Sequence, residues 1–292
     1  MSSTTGVVTR PTSDTRLADA RHPGVGAVYA VEVGKLFRQT KVRVITIVMR
    51  AAPWLFILLV LHQDRLPLET LYGRYLKITG FATPMVVLVT AGQWLLPLIA
   101  SFISGDMFSS DDSHGTYKTI LTRSVTRGAV FWGKVLAALS ATILVVLAIG
   151  ASSLAAGLVC VGAQDLISVG GTPISPGAAF GDVAISWLSV LPGVVGFATM
   201  ALLVSIVTRN SVLGVVVPVV VGLVCQMYMF LNAWDSVRHV MLNWTMIAWR
   251  GLLDDPSYAT PMEHGLVVAL VYTVAFLVPA YLVFRRRNVQ EG

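Results

Sequence analysis

Residues 128–135 read GAVFWGKV, and Gly128, Gly133 and Lys134 stand at the spacing of a phosphate-binding loop. In such a loop the glycine N–H groups cradle phosphate oxygens, the lysine neutralises the terminal phosphates and a hydroxyl holds magnesium. Here the chemistry fails at two points. Val135 occupies the hydroxyl position, and Ala129, Val130, Phe131 and Trp132 fill the interval with bulk that keeps a pyrophosphate off the backbone. No buried strand leads into the segment. The other reactive side chains are scattered: His22, His62, His114, His239 and His264 occur singly, and no HExxH or CxxC pattern is present. Cys160 and Cys225 each lie in an apolar run, where a reduced thiol behaves as a small hydrophobe. The sequence therefore predicts no catalytic residue, no metal site and no cofactor bound by this chain.

The elements that carry these residues are set by composition. Of 292 residues, 55% are hydrophobic and 12% charged, and mean hydropathy is +0.75. A soluble domain has about 25% charged residues, so the chain is built for lipid. Its pI near 9.5 and net charge of +6 would suggest nucleic acid in a soluble protein, but in a membrane chain the placement of charge decides its meaning, and no nucleic-acid partner is expected. A crossing helix needs about 20 apolar residues. Six runs qualify, at 44–61, 81–104, 135–162, 183–207, 212–231 and 265–284. Backbone amides in hydrocarbon must be satisfied within the segment, so the fold class is an all-α membrane protein with six transmembrane helices.

Polar residues inside these runs are the candidate pathway. Arg50 lies six residues into the first run, about 9 Å along the helix axis, from where it snorkels to the headgroups or else meets an anionic substrate. Gln93 and Gln226 suit interhelical hydrogen bonds or a transport path.

Basic residues orient the spans. With the N-terminus inside, the cytoplasmic side collects Arg10, Arg16, Arg21, Lys35, Arg38, Lys41, Arg43, Lys118, Arg123, Arg127, Lys134, Arg209, Arg285, Arg286 and Arg287; the other side holds Arg65, Arg74, Lys77, Arg238 and Arg250. Both termini are therefore expected in the cytoplasm, with residues 105–134 facing inward and 163–182 and 232–264 outward. Residues 1–27 are expected to form a disordered tail and 285–292 a short basic one. Residues 28–43 predict an amphipathic helix lying in the headgroup layer. Tyr29, Val33, Leu36, Phe37 and Val44 share its apolar face, while Glu32, Lys35 and Arg38 face outward toward lipid headgroups and water.

The inner loop offers a docking element. Asp111, Asp112 and Ser113 suit a helix start, and Tyr117, Ile120 and Leu121 form an apolar patch too short to cross a membrane, which calls for a groove on another protein. Along the loop, Asp112, then Gly115-Thr116, Ile120-Leu121, Ser124-Val125-Thr126-Arg127 and Gly133-Lys134 follow one another in an order that resembles the permeases of the ABC-2 transporter family. The chain departs from that pattern at Asp112, where glutamate is usual, and at Ser124, where proline is usual.

The resemblance implies a permease dimer, of two copies or of two related chains, powered by a separate cytoplasmic ATPase dimer that holds the ATP and magnesium. It implies that residues 105–134 are the coupling loop, through Asp111, Asp112, Gly115, Thr116, Tyr117, Ile120, Leu121, Arg127 and Lys134. It further implies that the outer segment 232–264, with Trp234, Trp244 and Trp249, is a re-entrant lid over an export path for an apolar or amphipathic substrate. The Arg-rich, Ala- and Val-rich composition suggests a bacterial genome, hence a bacterial inner membrane. The competing expectation is a membrane scaffold or sensor that binds an ATPase without transporting.

Overall fold

The structure is a computed structural model that describes residues 24–63, 72–110, 125–168, 170–230, 235–253 and 258–286. Six helical segments are long and apolar enough to span a membrane. In chain order the helices are α1 (Val25–Arg38), α2 (Thr40–His62), α3 (Ala82–Ser104), α4 (Arg127–Cys160), α5 (Pro176–Ser189), α6 (Leu191–Thr208), α7 (Ser211–Phe230), α8 (Asp235–Val240) and α9 (Thr260–Arg286). Two 3₁₀ segments, Leu242–Met246 and Ala248–Leu253, lie between α8 and α9.

Local sequence explains most boundaries, and several differ from the expected ones, the last span among them, which runs Thr260–Arg286 instead of 265–284. Gln39 is extended, so the chain turns between α1 and α2, and residues 40–43 belong to the first span instead of to the preceding helix. The third span begins at Arg127, not 135: the Thr126 side chain accepts from the Ala129 N–H at 3.2 Å and starts the helix there. The expected loop 105–134 thus ends in eight helical residues. The fourth span is two helices meeting at Val190, because Pro192 has no N–H to continue α5 and instead occupies the first turn of α6.

Contacts between helix ends establish an alternating, up-and-down bundle. At one end Gly105 meets Gly214, Ser109 meets Ser205 and Ser211, and Arg127 meets Arg285. At the other, Gly80 N–H donates to Gly162 at 2.8 Å, Lys77 reaches the Gln63 carbonyl and Gly193 lies against Thr245. The first end carries Lys41, Arg127, Lys134, Arg209, Arg285 and Arg286 and is called the basic end below.

The core sits where α3, α4 and α6 meet. α3 is mostly buried, whereas most of α2 and α9 is not, so α3 is interior and those two are peripheral. Ala137, Ala141 and Ala156 of α4 are fully buried within this one chain, which lets α4 approach its neighbours closely. At the opposite end an antiparallel pair, Leu166–Ile167 with Pro173–Ile174, seats Leu166 in the core, with Gly171 at φ +92° in its turn. The membrane-span pattern carries no sign of this hairpin.

Candidate functional site

Lys134, the lysine of the near-miss phosphate loop, is completely buried. Its ammonium donates to Glu32 Oε1 at 3.0 Å and to the Met107 carbonyl at 3.2 Å, with the Phe108 ring 5.8 Å away. Gly133 beside it serves the same contact: Val28 of α1 lies so close that a Cβ at 133 would fall 2.6 Å from Val28 Cγ1. The GK pair therefore seats α1 on α4 and then fastens it. Glu32 is itself only 5% exposed, and Lys35 approaches its other oxygen at 3.8 Å.

This changes the reading of α1. Leu36 is buried and Tyr29 and Val33 pack against the core, with the Tyr29 hydroxyl 3.3 Å from Ser140 Oγ, so much of the apolar face meets protein. Phe37, Arg38 and Val44 remain exposed. Glu32 points inward because it is the counter-charge of Lys134. A helical wheel of α1 alone assigns it to the solvated side.

The segment after α3 is fastened on several sides. Asp106 pairs with Lys41 at the start of α2. The Met107 carbonyl receives Lys134, while Ser109 Oγ bonds Ser211 Oγ at 3.0 Å and the Ser109 N–H donates to Ser205 Oγ at 3.3 Å. Gly105 and Gly214 touch backbone to backbone, which only two residues without a Cβ permit. Pro218 adds to this by leaving the Gly214 carbonyl without its usual helical donor. Phe108 closes the cluster, its ring tilted against Phe131 at 5.8 Å and edge-on to Phe284 at 5.3 Å. Residues 104–110 therefore bind α1, α2, α4, α6, α7 and α9 together at the end of α3.

The expected coupling residues divide accordingly. Asp111, Asp112, Gly115, Thr116, Tyr117, Ile120 and Leu121 lie outside the described residues. Arg127 is exposed as the first residue of α4, and Lys134 is buried seven positions further on. Sequence reasoning overlooked Lys41, Asp106, Ser109 and Ser205. Their only signal was an acid, a base and serines close to span ends, which solvent exposure explains equally well.

A second polar cluster lies inside the bundle. Gln93, at the midpoint of α3, accepts from Gln226 Nε2 of α7. Asn243 Nδ2 donates to Gln226 Oε1 at 3.3 Å and to the Gly222 carbonyl at 3.1 Å. Asn243 is fully buried and its Oδ1 has no partner among the described residues. Pro97 removes the helical donor of the Gln93 carbonyl at the same level. The two glutamines expected as pathway residues are thus brought together, and the third member comes from the segment between α7 and α9.

That segment is inserted, not draped. Leu242, Thr245, Met246 and Trp249 are buried, the Trp249 Nε1 donating to the Met246 carbonyl at 3.0 Å. Trp244 is half-buried with its ring 4.3 Å from His239, and Trp234 lies outside the described residues. Burial draws the Arg250 guanidinium below its usual pKa. Arg50 joins neither cluster. It is exposed on α2, whose start at Thr40 places it about 15 Å along the helix instead of the expected 9 Å; its carbonyl accepts from Ser152 Oγ at 2.6 Å.

No curated protein matches the chain. A family profile covers residues 70–290, which takes in five of the six spans, both polar clusters except α1 and Lys41, and the whole inserted segment. By that match the chain belongs to the family described as protein of unknown function (DUF2705).

Proposed function

We propose that this chain is the permease subunit of a bacterial ABC exporter, in which two six-span subunits enclose a path for an apolar or amphipathic substrate and a separate ATPase dimer supplies the energy. The observation that carries the reading is the fastening of residues 104–110. A loop that receives force must pass it on, and at its root this one is tied by ion pairs to α2 (Asp106–Lys41) and through Lys134 to α1 (Glu32). Serine bonds tie it to α6 and α7. Displacement of that root moves several spans together, because packed interfaces shift as units. The resemblance of Asp112 through Lys134 to the family's coupling loop supports the same assignment. In this reading the basic end is cytoplasmic, α1 lies at the membrane surface, and the segment from Asp235 to Leu253 closes the path on the outer side, held by Asn243.

The test is co-expression of the full chain with an ABC ATPase encoded in the same genome, followed by affinity purification and reconstitution into vesicles. Asp112→Lys and Gly115→Leu are expected to reduce recovery of the ATPase and its stimulation by the permease at least tenfold, with the chain still folded. Unchanged capture and stimulation in both variants would defeat the coupling assignment. Normal ATPase capture with no substrate-dependent turnover would favour a scaffold.

A further inference from the structure

Where α1 turns into α2, beside the end of α3, a cavity of about 10 Å³ takes polar walls from all three elements. Glu32 and Lys35 come from α1, Gln39 from the turn, Lys41 from α2, and Asp106 and Ser110 from the residues after α3. Its size is that of a single water. Nothing about this junction depends on the transport reading.

The charges on the wall are balanced and matched. Lys35 approaches Glu32 Oε2 at 3.8 Å, and Lys41 pairs with Asp106. Two carboxylates thus stand with two ammoniums, and a bound ion of either sign would meet as much repulsion as attraction. Gln39 supplies the deciding feature. Its Oε1 is buried and has no partner among the described residues. A buried acceptor without a donor is costly, and an anion has no proton to give it. Water suits the site, because it donates to Gln39 Oε1 and to a carboxylate while it accepts from an ammonium. We propose that this cavity binds one ordered water, which donates to Gln39 Oε1 and joins the Lys35–Glu32 and Lys41–Asp106 pairs into one network.

The network has a mechanical consequence. Gln39 is the single extended residue between two helices, at φ −67° and ψ 127°, and its backbone N–H donates to the carbonyls of Lys35 and Leu36. Such a residue at an element end is where a hinge absorbs motion. The backbone bonds hold the main chain of the turn, and the water holds its side chain against Asp106. Loss of the side-chain contact therefore loosens the seat of α1, the start of α2 and residues 104–110 together.

The experiment has two arms. The first is a crystal structure of the full chain, grown in a lipid phase with bromide as the anion and at a resolution that shows waters. A peak is expected about 2.7–3.2 Å from Gln39 Oε1 and from a carboxylate oxygen of Asp106 or Glu32, without a bromine anomalous signal. An anomalous signal there, or no peak, overturns the water. The second arm is amide exchange in Gln39→Met, which keeps the length of the side chain and removes the acceptor. Exchange should rise several-fold in residues 33–43 and in 104–110 together. A rise confined to 33–43 overturns the joining of the two pairs, and no rise in either overturns the role of Gln39. The crystal arm uses the native sequence, so it decides the site even where Gln39→Met fails to fold.

Discussion

Glu32 and Lys134 carry opposite charges in a volume from which water is almost absent, and that burial sets what their substitution does. Removing one partner leaves the other buried without its nearest counter-charge, at a cost of about 3–5 kcal/mol, whereas replacing both with apolar groups of similar size costs far less. Lys134→Met and Glu32→Gln should therefore each lower the thermal midpoint of the purified chain strongly, while the double variant Glu32→Met/Lys134→Met recovers most of the loss. A midpoint unchanged by Lys134→Met would show that the pair is not formed in the native state. The Lys41–Asp106 pair is different in kind. Its side chains are 34% and 20% exposed, so solvent screening limits Asp106→Asn to about 1 kcal/mol or less. Both contrasts are readable in one set of melts. Lys134 and Glu32 were each visible in the sequence, but 102 residues separate them, and no local pattern announces such a partnership.

Among the elements, the inserted segment 235–253 and the α3–α7 contact make separable demands. That segment is attached through Asn243 to α7 and, by way of Gln226, to α3. Interhelical hydrogen bonds of this kind contribute about 0.6–1.7 kcal/mol each within a bilayer. Asn243→Ala and Gln226→Leu should accelerate amide exchange in residues 242–253 several-fold and leave α1 unchanged. If exchange in α1 rose equally, the cluster would be a general packing element and not a latch. The α3–α7 contact admits less adjustment. A Cβ at Gly105 would lie 2.6 Å from the Gly214 carbonyl carbon, so Gly105→Val must push the helices apart at about 1–3 kcal/mol or more. Reduced yield and a broadened gel-filtration peak are the expected signs. The helices themselves were legible as apolar runs. Their ends were less so, because Thr126 and Gln39 act through a single side-chain cap or one extended residue, signals too short for periodicity to register.

For the whole molecule, alternation of the spans makes a direct demand on topology. With Cys160 and Cys225 replaced by alanine, a single cysteine at Asn210 should react with a membrane-impermeant thiol reagent only from the side proposed as cytoplasmic, and one at Gln164 only from the other. Reaction of both from one face would break the six-span arrangement. Reaction from the reversed faces would preserve the fold and overturn the proposed orientation. Charge distribution supports the first outcome, since cations resist translocation. The small residues of α4 show how far such arguments extend: Ala137, Ala141, Ala148, Ser152 and Ala156 suit either a second subunit or the chain's own bundle, and Ala137, Ala141 and Ala156 are buried within the chain itself while Ala148 and Ser152 are half-buried.

What composition and spacing determined unaided is the class of molecule: six apolar runs and their mutual alternation. Those properties are local or additive, since hydrophobic length is read along one segment and charge bias is summed over loops. Tertiary structure decided what the polar residues do. It turned Lys134 inward onto Glu32, joined Gln93 to Gln226 and Asn243, and brought Gln39, Lys41 and Asp106 to one cavity. A buried polar group is defined by its partner, and in this bundle the partners come from helices that meet only after the chain has folded.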